Sequence, residues 1–382
     1  MRKEIIVFSI ILVVAGFFRL YQIDTTPQIA PDLMTLMIVS SGLSLLSVIC
    51  LYLLAKKMFG WPIAAITAFL MATSFWHVNL SRTEIMATSF LLVMISMFYF
   101  LWEGLRSHHI LHFIAAGILC GFGPYIYDSF FYAIPIIIIL FLGYWSFLKR
   151  DFSLSKYEFA RHELLKGFTA MGLTALIIFL PLGFLYWSHP EIINNSHDGL
   201  ESVFTTKSPT VEIVKNTEKT LGMFLISGDK NIKYNIPGRT AIAWPLVIFF
   251  AIGLVKEFIH WTRRKHGHFS VAHTMLFSWL ILMMLPAIFG NNAPNSLLAA
   301  GMLPIIMILT ARGIWWLFEK LNHSEELLHA ANHSLFHGTM TPKVSVTLFA
   351  FLGAIGFFEY WQFFHVWGTS PEVLIFFNQI IK

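Results

Sequence analysis

The chain has 382 residues, of which 57% are hydrophobic and only 12% charged, and its mean hydropathy is +0.69. Soluble domains carry roughly twice that share of charge, so a soluble enzyme is excluded. The net charge of +5 is no argument for nucleic acid, because the lysines and arginines lie mostly between apolar runs, where they set topology and meet headgroups.

The first apolar run follows Arg2-Lys3 and reaches about Leu20. No small-residue cleavage site follows Gly16, and Phe17-Phe18-Arg19-Leu20-Tyr21 stays bulky, so an uncleaved first span is expected. Further spans are expected at about 33–55, 62–76, 85–105, 111–126, 129–148, 168–187, 241–260, 274–290, 297–317 and 344–365. These lengths lie near the roughly 20 residues that a helix needs to cross the hydrocarbon, and short alternating β-barrel segments are not seen. The expected fold is an all-α polytopic membrane protein with about eleven transmembrane helices. Residues 1–365 form one transmembrane domain, interrupted by a long polar loop at 189–239, and 366–382 form a short tail. Cys50 and Cys120 both fall inside apolar runs, which argues against a disulfide or a thiolate metal site.

Orientation follows from charge. With the N-terminus inside, the inward segments hold all the lysines and arginines except Arg19, Arg82, Lys382 and six in the long loop, whose weight in the rule is small. This puts the N-terminus in the cytoplasm and the C-terminus outside, with Ser208 outside and Ser155 inside. A cysteine placed at Ser208 should therefore react with an impermeant reagent in intact cells, and one at Ser155 should not; the opposite labelling would invert the topology.

That topology gathers the polar motifs on the outer face. Asp32 follows Pro31 at the start of an apolar run, where it is either an N-cap or a carboxylate available for chemistry, with Asp24 as the nearby rival. The run Trp76-His77-Val78-Asn79-Leu80-Ser81-Arg82-Thr83-Glu84 reads as an interfacial turn with an Arg82–Glu84 pair. Tyr125, Tyr127 and Asp128 follow Pro124 at a kinked aromatic helix end, and Asn291 to Ser296 read as a turn closed by a helix cap. The long loop ends in Asp229-Lys230-Asn231-Ile232-Lys233-Tyr234-Asn235-Ile236-Pro237-Gly238-Arg239. On the inward side, the histidine-rich stretch from His323 to His337 matches no common ligand spacing and reads as a solvated connector.

Taken together, Arg19-Leu20-Tyr21 with Ala30-Pro31-Asp32, the basic inner turn Leu53 to Gly60, His77 to Arg82, the Asn-x-Pro-Gly-Arg ending at Arg239, and Asn292 to Leu297 resemble a known family. The pattern is similar to the GT-C membrane glycosyltransferases, in the branch of protein O-mannosyltransferases and bacterial lipopolysaccharide glycosyltransferases. Three departures stand out. Leu33 follows Asp32 where the family carries an acidic pair, and Phe131 stands where a basic residue is common. About a dozen residues join the first two spans, too few for the two interfacial helices of relatives.

The resemblance implies a glycosyltransferase that moves a sugar from a polyprenyl-phosphate donor to a lipid, glycan or protein acceptor at the extracytoplasmic face of the plasma membrane. It implies Asp32 as base and Arg239, Arg82, Lys230, Lys233, Tyr127 and Asp128 as substrate-binding residues. It fixes no cofactor and leaves room for a divalent metal ion. The short first loop implies weak acceptor orientation and hence slow transfer. A catalytically inactive scaffold of the same fold remains the alternative. A lipid or solute transporter is disfavoured because Glu103, Arg312 and Glu359 fall near span ends and not at the midplane.

Overall fold

The computed structural model describes residues 2–27, 33–151, 154–189, 203–263, 271–290, 292–330 and 341–381. It is built from helices: α1 (Arg2–Leu20), α2 (Met34–Phe59), α3 (Trp61–Thr73), α4 (Phe75–Thr83), α5 (Ile85–Ser107), α6 (Ile110–Ile126), α7 (Ala133–Asp151), α8 (Leu154–Ser188), α9 (Pro209–Leu225), α10 (Trp244–Thr262), α11 (Val271–Leu282), α12 (Leu285–Phe289), α13 (Leu303–Ala330), α14 (Pro342–Tyr360) and α15 (Pro371–Ile381). Eight are long and apolar enough to cross a membrane, some together with the short helix that continues them, and a ninth is counted if the bent pair α3–α4 is one span. The two other expected spans coincide with α6, a 17-residue apolar helix, and α1, whose ends carry Arg2, Lys3, Glu4 and Arg19. This is an integral, multi-pass membrane protein. The histidines from His333 to His337 lie outside the described residues, as does Asp32.

The sequence determines which helices are central. In the span of α13, 78% of the most apolar stretch is buried; in that of α8 the figure is 11%. α13 therefore forms the protein-facing core, while α8 shows Ile177, Leu180 and Phe184 to lipid. The pairs α6–α8 and α10–α13 approach closely because glycine removes the side chain at the contact. A Cβ at Gly253 would meet the Leu309 carbonyl, and one at Gly313 would meet the Phe249 carbonyl. In the same way Gly117 and Gly121, four residues apart on α6, face the Met171 and Ala175 carbonyls of α8. Small residues at such spacing let membrane helices pack backbone to backbone.

One expectation changes. The polar run at 76–84 is not a turn. Ser74 breaks the span by 53°, its hydroxyl accepting from the His77 backbone N–H, and the chain continues as α4. Every residue of α4 from Phe75 to Arg82 is buried. The tail also folds: Val373 and Phe377 of α15 dock on an aromatic cluster of Phe18, Phe75, Phe363, Phe364 and Trp367.

Candidate active site

At one end of the bundle the described segments enclose a cleft of about 1820 Å³. Its walls come from six places: Glu84 at the start of α5, Tyr125 to Ser129 at and beyond the end of α6, Leu182 and Tyr186 on α8, Glu218 to Gly222 on α9, and the facing segments at 226–234 and at 286–290 with 292–298. Of the residues expected at the site, Lys230, Lys233, Tyr127 and Asp128 line this cleft together.

The wall from α6 is set by proline chemistry. Pro181 interrupts α8, and the Tyr125 hydroxyl steps into the broken ladder there. It donates to the Ile178 carbonyl at 2.9 Å and accepts from the Leu182 N–H at 3.1 Å. A side chain inserted this way both satisfies and fixes a kink. The adjacent Tyr127 ring packs on Phe90 at 5.3 Å between centroids.

The wall from the long loop is stapled from within. Asp229 is buried; it accepts from the Asn231 N–H at 2.8 Å and from the Ser296 N–H at 2.7 Å, which joins the two facing loops. Burial raises its pKa against the opposing effect of those N–H donors. Asn235 is also buried and donates to the carbonyls of Asp229 and Arg239. Gly228 donates to that same Arg239 carbonyl, in a space where a Cβ would meet it at 2.6 Å. The Asn-x-Pro-Gly-Arg motif is thus the clasp that closes this loop. Helix α9 is held by Asn216, whose amide donates to the Ile288 and Gly290 carbonyls at 3.1 and 2.7 Å. Opposite it, Asn295 caps its own turn by accepting from the Leu297 and Leu298 N–H groups.

The polar floor is a trio missed in the sequence. Glu84 accepts from the Tyr234 hydroxyl at 2.8 Å and pairs with Lys233. The expected Arg82–Glu84 pair does not form. Being next to Glu84 raises the Tyr234 pKa, with desolvation as the larger cause. Lys230 is exposed on the rim and makes no ion pair among the described residues.

The structure does not bring Arg82 or Arg239 into this cleft. Arg82 is buried and donates to the carbonyls of Phe18, Tyr21, Gln22 and Thr26, so its charge sits on the C-terminal end of α1. Its guanidinium also lies 5.2 and 5.1 Å from the Phe363 and Phe364 ring centres. Arg239 pairs with Glu359 at 2.6 Å, the two side chains 8% and 3% exposed, and lies 4.5 Å from the Phe75 ring. Both arginines were expected from the family resemblance together with their outer-face position. Hydropathy cannot distinguish a cation aimed at a ligand from one aimed at carbonyls.

Comparison with known proteins fits this architecture. Residues 29–187 match the profile of the dolichyl-phosphate-mannose-protein mannosyltransferase family. No curated protein matches the chain. Among solved structures, the oligosaccharyltransferase AglB of Archaeoglobus fulgidus, in complex with an inhibitory peptide and a dolichol-phosphate, superposes at TM-score 0.51 and 12% identity over 99% of this chain and 59% of that one. The same enzyme tethered to an acceptor peptide gives TM-score 0.51, 12% identity and the same coverage. The chain therefore spans less than two thirds of the length of these structures. ArnT of Cupriavidus metallidurans, bound to undecaprenyl phosphate, aligns at TM-score 0.48 and 13% identity over 91% of this chain and 61% of that one. The chain is a polytopic membrane protein of GT-C-like fold, with the sequence signature of the dolichyl-phosphate-mannose-protein mannosyltransferases across residues 29–187.

Proposed function

We propose that this protein is a membrane glycosyltransferase that takes a sugar from a polyprenyl-phosphate donor in the cleft, on the extracytoplasmic face of the plasma membrane. One observation carries the reading: a largely apolar cleft with lysines and carboxylates on its walls opens beside the lipid-facing side of α8, where Phe184 is 72% exposed. A polyprenyl tail can lie along α8 in the hydrocarbon while its phosphate and sugar reach the cleft. The complex of AglB with dolichol-phosphate supports this class of donor.

The chemistry is a single inverting displacement. The acceptor hydroxyl oxygen attacks the anomeric carbon, the bond from that carbon to the phosphate oxygen breaks, and the phosphate monoester leaves with the electron pair. The hydroxyl proton passes to a carboxylate within hydrogen-bond reach. We assign that role to Asp32. Lys230 meets the departing phosphate, since preorganised cations act most strongly where charge develops. Glu84, held by Tyr234 and Lys233, and Asp128 with Tyr127 flank the sugar. Arg82 and Arg239 shape the site from behind.

Helix α1 ends at Leu20 and α2 begins at Met34, so little chain is available to form an acceptor-side wall. Orientation of two reactants is worth several kcal/mol of barrier, and slow transfer to a lipid, glycan or protein acceptor is expected beside firm donor binding. The test is release of polyprenyl phosphate from a polyprenyl-phosphate sugar by the purified protein, with membrane lipids or glycans supplied as acceptor. Asp32→Asn should lower release by roughly 10²–10⁴, and Lys230→Ala should weaken donor binding. If Asp32→Asn keeps the wild-type rate, the base is Asp24, Glu84 or Asp128. Donor binding with no release by the wild type would identify a non-catalytic scaffold.

A further inference from the structure

We propose that Glu257, His260 and His273 form a binding site for a divalent transition metal of the zinc class, at the end of the bundle away from the cleft. Glu257 lies thirteen residues into α10 from Trp244, which puts it roughly 20 Å below the cleft-side start of that helix. His260 follows it by three positions, so both side chains leave the same face of α10. His273 comes from the first turn of α11. One ligand atom from each of the three lies within 4.8 Å of the others.

The distances suit a metal. Glu257 Oε2 and His273 Nε2 stand 3.0 Å apart. Two ligands bound at about 2.0–2.1 Å in tetrahedral geometry are separated by about 3.3 Å, so a small opening of this pair admits the ion. Two imidazoles and a carboxylate are also the donor set that borderline divalent ions prefer.

Arg312 completes the arrangement from outside. Its Nε and Nη2 both reach Glu257 Oε1, at 2.8 and 2.6 Å. That holds the carboxylate with Oε2 turned toward the histidine, the way outer partners orient metal-binding carboxylates. The guanidinium is itself fixed over the Phe59 ring at 4.8 Å. The nearby Lys256 and Lys320 are drawn over Trp316, at 5.7 and 4.4 Å from its ring centre. Glu257 is fully buried, whereas His260 is exposed, so the site is open on one side. Bound there, the ion ties α10 to α11 and takes no part in sugar transfer.

The test uses the full-length protein without a polyhistidine tag, stripped with a chelator and titrated with Co²⁺. One equivalent should bind with the visible absorption of low-coordinate cobalt, and Zn²⁺ should displace it. His260→Ala, at an exposed position that should not disturb folding, is expected to weaken binding at least about tenfold, as is His273→Ala. Absence of stoichiometric uptake would overturn the assignment. So would an absorption band that both substitutions leave unchanged, which would move the metal to the histidines between His323 and His337.

Discussion

Glu359→Gln should destabilise the protein more than loss of any surface ion pair, by about 3–5 kcal/mol. Glu359 and Arg239 are almost fully enclosed, and Glu359 Oε2 also accepts from the Phe75 backbone N–H at 3.0 Å. One carboxylate thus holds the loop before α10 and the first residue of α4. Removing its charge leaves the Arg239 guanidinium buried beside an apolar ring with no anion, the expensive half of breaking such a pair. The measurement is thermal unfolding of the purified protein in detergent. The double variant Arg239→Met/Glu359→Leu should recover much of the loss, because packed apolar groups replace a buried pair at little cost. A wild-type melting curve for Glu359→Gln would show that the pair holds nothing. The double variant also separates two roles for Arg239. If it binds the polyprenyl-phosphate donor as the wild type does, Arg239 is a clasp; if it folds but no longer binds, the guanidinium reaches the phosphate.

Gly253→Ala and Gly313→Ala form the second large effect. Each added methyl runs into a backbone carbonyl of the facing helix, Leu309 for one and Phe249 for the other. A carbonyl cannot turn aside as the end of a flexible side chain can, so α10 and α13 must separate. Overpacking of this kind costs about 1–3 kcal/mol for one substitution, and the double variant should lose more. Separation also draws Arg312, the neighbour of Gly313, away from Glu257, which lies one turn beyond Gly253. Gly172→Ala is the control: nothing lies within 4 Å of the Cβ it would add to α8, and it should melt like the wild type. Equal melting of all three variants would refute the close approach.

Eight or nine of the eleven expected spans were legible because each is an apolar run of sufficient length among the described residues, and the other two runs coincide with the helices α6 and α1. The third expected run stopped short at about 76 for a physical reason. His77, Asn79, Ser81 and Arg82 are polar but buried, and two of them find partners far along the chain: Arg19 Nη2 lies 2.7 Å from His77 Nδ1, and Arg82 takes carbonyls of α1. Composition makes such a stretch look like a loop. The gathering of Tyr127, Asp128, Lys230 and Lys233 was legible because topology alone puts their segments on one face. The Glu84–Tyr234 contact was not, nor was the Glu257–Arg312–His273 cluster, since nothing local links positions so far apart. In Asn-x-Pro-Gly-Arg the sequence showed that something specific was built there. Only the geometry shows that the Asn235 amide and the Arg239 carbonyl close the loop itself.

The pairing of α6 with α8 has a consequence for how the protein is made. Gly117 and Gly121 find their partners, the carbonyls of Met171 and Ala175, some fifty residues later in synthesis. The intervening α7 packs instead against α11, which emerges later still. When α6 first enters the bilayer its glycine face therefore has only lipid to meet, and the cleft wall carrying Tyr125 lacks the Ile178 carbonyl and Leu182 N–H that hold its hydroxyl. A nascent chain arrested before α8 should hold α6 loosely, accessible to helices of other proteins and to quality-control proteases that recognise unpaired membrane segments. Release of the complete α8 is the moment at which this half of the protein becomes safe from them.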